Sequence, residues 1–162
     1  MRSPHSIALA LSEAGWFDRL PIEIFATDAN ILALEKARQG VYWGRNVDAF
    51  SRDLRDKYFT SVKGGWQAAP EIQNRIRWSL ANLVVASEIT EFADAHLIFC
   101  QQVFIYFLDA RIVNTIRSFE RQMPFGGYLF SDSGDHYISL IGNSTNLVQQ
   151  EFEPTSVWRK LK

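Results

Sequence analysis

Asp28 closes a short β-rich run, Pro21-Ile22-Glu23-Ile24-Phe25-Ala26-Thr27, and stands just ahead of a helical pattern. A carboxylate at such a strand end can accept hydrogen bonds from both hydroxyls of a ribose, which few other side chains can do. The same residue can instead cap the helix that follows, because aspartate is a preferred N-cap. Spacing alone leaves both roles open. Tyr106 lies between Phe104 and Phe107 and, taken by itself, reads as part of a hydrophobic cluster. Cys100 ends an apolar run and reads as an inert buried thiol rather than a nucleophile. His96 and His136 have no acid or nucleophile at a motif spacing. Three scattered histidines and one cysteine offer neither metal-ligand spacing nor an internal disulfide. Arg38 and Arg45 can attract an acidic peptide segment or can be solvated surface cations.

The elements that must carry these residues follow from periodicity and punctuation. Pro4 suits the first turn of a helix, whose apolar residues are Ile7, Leu9, Ala10, Leu11 and Ala14, with Gly15 as the stop. Ile22 to Ala26 reads as a strand ending at Thr27-Asp28, and Asn30 to Gln39 as a helix stopped by Gly40. Phe50 to Tyr58 reads as a short charged helix and Gly64-Gly65 as a turn. Trp66 to Ala68 and Ile76 to Leu80 are expected strands, and Trp66 to Trp78 a small antiparallel hairpin. Leu97-Ile98-Phe99-Cys100 has the apolar density of a strand buried on both faces. Ala110 to Arg121 is a helix with Ile112, Val113, Ile116 and Phe119 on one side. A strand over Tyr128 to Phe130 follows, and Leu147–Phe152 with Ser156–Leu161 forms a closing antiparallel pair.

Strands alternating with helices point to an α/β fold: a Rossmann-like, mostly parallel sheet with an antiparallel pair at its carboxyl end. Ligands of such sheets bind beyond the carboxyl ends of the strands. That rule draws Asp28, the Cys100 to Tyr106 segment and the Ser131 to Asp135 loop to one edge. A nucleotide-binding unit of this kind normally begins with a strand and a glycine-rich turn, and here neither precedes the first helix. The sheet is therefore expected to lack its first strand, leaving an unpaired edge and exposed apolar neighbours.

Composition bounds the rest. At 162 residues, one domain over 1–162 is expected, with a small β-subdomain inserted over 41–80. Hydrophobic residues at 47% and aromatics at 14% suffice for a core. A formal net charge of -1 carries no basic nucleic-acid footprint. The most apolar stretch, His96 to Leu108, is broken by Gln101 and Gln102 and is too short to span a bilayer. With no export signal, these features suggest a cytoplasmic protein with no direct membrane insertion.

Six segments together resemble the S-adenosylmethionine-binding domain of the CheR-type protein-glutamate O-methyltransferases. Pro4-His5-Ser6-Ile7-Ala8 is similar to the end of the G-E-E-P-Y-S-I-A signature. Phe25-Ala26-Thr27-Asp28 and Ala33-Leu34-Glu35-Lys36-Ala37-Arg38-Gln39-Gly40-Val41-Tyr42 resemble A-T-D…A-L-x-x-A-R-x-G-x-Y. Ala81-Asn82-Leu83 resembles L-N-L. Ile98 to Phe107 resembles I-F-C-R-N-V-x-I-Y-F, and Gly126-Gly127-Tyr128-Leu129-Phe130 resembles G-G-Y-L-F.

The resemblance implies S-adenosylmethionine as cofactor. It implies Asp28 on the ribose, Asn82 and Leu83 on the adenine, Gln102 and Val103 at the methionine end, and Tyr106 near the transferable methyl. It also implies methyl-accepting chemotaxis receptors as protein substrates, with Arg45 as the candidate for drawing in their acidic segment, and neither metal nor nucleic acid as a partner. A glutamate side chain is already ionised at neutral pH, so no strong general base is required. The protein has to align carboxylate, methyl and sulfur and exclude water.

The chain departs from the family at three places. Arg2 and Ser3 stand where the family has two glutamates, and Gln101-Gln102 stands for Arg-Asn. Ser131-Asp132-Ser133-Gly134 replaces a G-H-S-E-type turn. The alternative these departures raise is a truncated, catalytically inactive homologue acting as a binding module.

Overall fold

Ser3 starts the first helix in the way its sequence requires. Its hydroxyl accepts the Ser6 N–H at 3.3 Å, and Pro4, which has no N–H to lose, occupies the first turn. The computed structural model describes residues 3–44, 47, 50–132, 134–152 and 155–161. They fall into two units, Met1–Ala81 and Asn82–Lys162, each with its own core. Arg45 lies outside the described residues.

In the first unit, α1 (Pro4–Glu13) precedes strand β1 (Ile24–Asp28), and α2 (Ile31–Arg38) follows it. Gly15, with φ of 67°, takes the left-handed step just beyond the helix, a position that favours glycine. A second part of the unit comprises β2 (Val41–Tyr42), α3 (Arg52–Tyr58), β3 (Phe59–Val62) and β4 (Gly65–Ala68). The short helix α4 (Pro70–Gln73) then leads into β5 (Ile76–Leu80). β1 and β5 pair in parallel, Ile24 opposite Ile76 and Ala26 opposite Trp78. β2, β4 and β3 form an antiparallel sheet in that order. Ala8, Leu9, Ala26, Tyr58, Phe59, Ile72 and Ile76 share the core beneath.

The expected Trp66–Trp78 hairpin is replaced by one over Phe59–Ala68, with Trp66 in β4 and Trp78 in the parallel strand β5. The turn at Gly64-Gly65 closes it. Strand β3 was hidden from the sequence because Phe59-Thr60-Ser61-Val62 continues directly from a helix with no breaker between.

In the second unit, α5 (Ala86–Ile89) leads to β6 (Leu97–Phe99), α6 (Asp109–Gln122), β7 (Tyr128–Ser131), α7 (Asp135–Ser144), β8 (Val148–Phe152) and β9 (Thr155–Arg159). The sheet runs β6-β7-β9-β8, with the first pair parallel and the rest antiparallel. In register, Ile98, Leu129 and Trp158 share one face and join the core with Ile112, Ile116, Phe119 and Ile141. Helix α6 presents Ile112, Thr115, Ile116 and Phe119 to that core at the spacing of one helical face.

Two expectations are corrected here. β6 is not buried on both faces: Leu97 is 52% exposed and Phe99 42%. The reason is its position, for among the described residues β6 pairs only with β7. β1 likewise pairs only with β5 among the described residues. The segment from Asp135 onward is not loop but the start of α7, whose first turn carries Asp135 in favourable proximity to the helix amino end.

Candidate functional site

Backbone geometry after β6 defines the most chemically pointed place in the second unit. Cys100 continues from the strand and its N–H donates to the Phe130 carbonyl at 2.9 Å, extending the parallel pairing by one residue. Gln101 then donates its side-chain amide to the Ser131 carbonyl at 3.3 Å. Gln102 turns the chain with φ of 58°, the one described residue other than glycine in the left-handed region. Its N–H donates to Asp132 Oδ1 at 2.6 Å. The turn after β6 is thus stitched to the end of β7, at the carboxyl ends of two parallel strands, where α/β sheets bind ligands.

Beyond the turn, Val103 packs against the core and Phe104 is buried, while Tyr106 is 81% exposed. The hydrophobic cluster that its neighbours suggested forms without it: Phe104 and Phe107 approach with ring centroids 6.2 Å apart, and Tyr106 projects. Ile105 and Leu108 are exposed beside it in sequence. A phenol held outward on a 3₁₀ turn anchored by Phe104 is available to a ligand, although its exposure assigns no role.

Asn82 and Leu83 are positioned from below. The Thr115 hydroxyl of α6, itself buried, donates to the Leu83 carbonyl at 3.1 Å. Asn82 N–H donates to Glu88 Oε2 at 2.8 Å, and Asn82 Oδ1 accepts the Val84 N–H at 3.1 Å. The amide oxygen of Asn82 is therefore engaged in a local turn, and Leu83 packs against the same core as Val103.

In the first unit, the two roles left open for Asp28 are partly resolved. It does not cap α2: Asn30 does, with its Oδ1 accepting Leu32 N–H at 2.9 Å and Ala33 N–H at 3.3 Å. Asp28 Oδ1 accepts the Asn30 N–H at 2.8 Å, so it orients the cap from an exposed strand end. Arg38 lies in the last turn of α2 and is exposed.

Cys100 is 3% exposed, and its thiol is pushed up to about 12 by burial, with the Asp132 charge adding to the effect. It is inert, as expected. His136 has an acid partner after all: its Nε2 lies 2.9 Å from Asp109 Oδ1. The two residues are far apart in sequence and are brought together by α6 and α7. Among the described residues, no cluster of three or more His, Cys, Asp or Glu could hold a metal ion, and no helix is long and apolar enough to cross a membrane.

Three further groups matter that are not among the residues singled out from the sequence. Asp132 carries the same signal as Asp28, a carboxylate just after a strand. Thr115 gave no signal, because a threonine on a helix reveals its partner only through packing. The third is a polar cluster at the start of α1, in which Tyr42 Oη lies 2.9 Å from Ser3 Oγ and 2.7 Å from His5 Nδ1. His5 is 3% exposed, and burial lowers its pKa to about 4, so the ring is neutral at pH 7. Ser3, which stands where the family has an acid, is committed to capping α1 and to Tyr42.

A family model described as CheR methyltransferase, SAM binding domain, matches residues 2–152. The chain is 34% identical over 130 residues to chemotaxis protein methyltransferase 2 of Vibrio cholerae, covering 78% of this chain and 45% of that protein. It is 35% identical over 104 residues to the probable biofilm formation methyltransferase WspC of Pseudomonas aeruginosa, covering 64% of this chain and 24% of that one. Against the chemotaxis protein methyltransferase of Salmonella typhimurium it is 28% identical over 145 residues, or 85% of this chain and 49% of the other. The chain thus spans about half the length of the curated chemotaxis relatives it matches, at 45% and 49%. With a family match that runs through β1, the Asn82-Leu83 segment, the turn after β6 and β7, the chain belongs to the CheR methyltransferase family, to the domain that binds S-adenosylmethionine.

Proposed function

We propose that this chain acts in the S-adenosylmethionine-dependent methylation of glutamate side chains on methyl-accepting chemotaxis receptors, in the cytoplasm. The observation that carries the reading is the turn after β6. Gln102 sits there in a left-handed conformation tied to Asp132 at the carboxyl ends of parallel strands. A non-glycine residue held in that region is a strained feature of the kind that persists at ligand sites. The residues present suit the cofactor chemically. Asp28 and Asp132 supply acceptor oxygens at strand ends, and Asp132 Oδ2 is a buried oxygen with no hydrogen-bond partner among the described residues.

When bound, S-adenosylmethionine supplies a methyl group activated by its sulfonium. In this reading Asp28 accepts the ribose hydroxyls, and Asn82 and Leu83 receive the adenine. Gln102 and Val103 line the methionine end, and Tyr106 borders the methyl. Gln102 is one methylene longer than the asparagine of the family motif, which shifts its amide by roughly 1.5 Å, about one carbon–carbon bond. Arg45 and Arg38 draw in the acidic receptor segment by charge. No strong base is required of the protein, because the accepting carboxylate is already ionised.

The second reading, a binding module without catalysis, draws on Ser3, whose hydroxyl is spent on the helix cap where the family has an acid. Two measurements separate the readings. The first is calorimetric titration of S-adenosylmethionine into the purified chain. The second is transfer of labelled methyl to receptor-containing membranes, scored as base-labile label, since carboxyl esters hydrolyse in alkali. Binding with base-labile transfer that falls in Y106F supports the enzyme. Binding without transfer supports the module, and no binding overturns the cofactor role of this chain.

A further inference from the structure

Asp132 stands just past the carboxyl end of β7 and faces the turn that follows β6. Its Oδ1 accepts the Gln102 N–H at 2.6 Å. Its Oδ2 is buried and has no hydrogen-bond partner among the described residues. Nor, among the described residues, does any cation pair with it. A carboxylate oxygen shut away from water without a donor is costly, and native structures rarely keep one without a purpose. Such an oxygen takes its donor from outside the chain, from an ordered water, an ion or a ligand.

We propose that Asp132 binds the α-ammonium group of the methionine end of S-adenosylmethionine; the assignment rests on the methyl-donor reading above. The cofactor carries two positive centres, and the chemistry distinguishes them. The orphaned oxygen lacks a hydrogen-bond donor, and an ammonium has three N–H donors. A sulfonium has none. The location agrees, because Asp132 lies at the carboxyl ends of the parallel strands β6 and β7. The bond to the Gln102 N–H couples the carboxylate to the turn that also carries Val103, so that one strut both shapes the turn and faces the ligand.

A purely structural role for Asp132, bracing the turn through Gln102, predicts different behaviour. D132N retains an amide oxygen to accept the Gln102 N–H but removes the charge and replaces the second acceptor oxygen with an NH2, which cannot accept from an ammonium. The test is calorimetric titration of S-adenosylhomocysteine and of its deaminated α-keto analogue, which lacks the ammonium, into the wild-type chain and D132N. The wild type is expected to prefer the amine by ten- to a hundredfold, the range of a charge-assisted hydrogen bond. D132N is expected to bind the two within about threefold of each other and the keto analogue as the wild type does. A wild type with no preference overturns the assignment without reference to any variant. So does a D132N chain that keeps the preference, or one that weakens both ligands equally. If the wild type binds neither these ligands nor S-adenosylmethionine, the methyl-donor reading itself fails, an outcome distinct from the other three.

Discussion

Gln102 offers a signed test of the turn on which the candidate site depends. An L-residue in the left-handed region costs about 1–2 kcal/mol relative to its preferred conformations, and glycine escapes that cost. Glycine also loses more backbone freedom on folding, by roughly 0.5–1 kcal/mol. With φ at 58°, Q102G is therefore expected to stabilise the chain by about 0.5–1 kcal/mol net. Asparagine tolerates the region better than glutamine, so Q102N falls between. A β-branched side chain is strained further there, so Q102V is expected to destabilise by at least about 1 kcal/mol. For a chain of this size 1 kcal/mol corresponds to roughly 2–4 °C in Tm. The assay is thermal unfolding followed by near-ultraviolet circular dichroism. The expected order of Tm is Gly, Asn, Gln, Val from highest to lowest. The backbone N–H that donates to Asp132 is retained in all four. An inverted order, with Val above Gly, would mean that residue 102 is extended and that the turn described here does not exist.

Three further outcomes follow from packing and charge. Burial holds the His5 ring neutral in the fold, with its pKa lowered to about 4, whereas the unfolded chain protonates near pH 6.5. The unfolded state therefore binds the extra proton, and stability falls as pH drops from about 6.5 towards 4; H5N should flatten that dependence in urea titrations at pH 4.5 and 7.5. Leu129 is 0% exposed at the centre of the second core, so L129A should cost about 2–5 kcal/mol by urea unfolding. The Cys100 thiol, pushed up to about 12 by burial, should resist iodoacetamide at pH 8 in the native chain and react promptly in urea.

Local chemistry determined much of this protein before any fold was known. Pro4 in the first helical turn, the strand that ends at Asp28 and the amphipathic face of α6 all depend on neighbours within a few residues. Each was accordingly legible. The closing antiparallel pair, β8 with β9, followed from two strand-like runs with a short gap. The motif segments around Asp28, Asn82, Gln102 and Tyr106 likewise stood in the sequence, because family motifs are local strings.

Tertiary structure decided what those strings touch. Asn30 rather than Asp28 caps α2, because backbone geometry, not residue preference, selects which oxygen reaches the first free N–H groups. Strand β3 and helix α7 arise from pairing and packing that no local pattern announced. The exposure of Leu97 and Phe99 is a property of an edge, and an edge exists only in a sheet. Above all, Gln102 and Asp132 are separated by 30 positions and meet only because β6 and β7 run parallel. A parallel pair needs a crossover, here through α6, so its contacts are distant in sequence by construction. Which carboxylate meets the turn after β6 was therefore a question for the sheet, and sequence spacing held no answer to it.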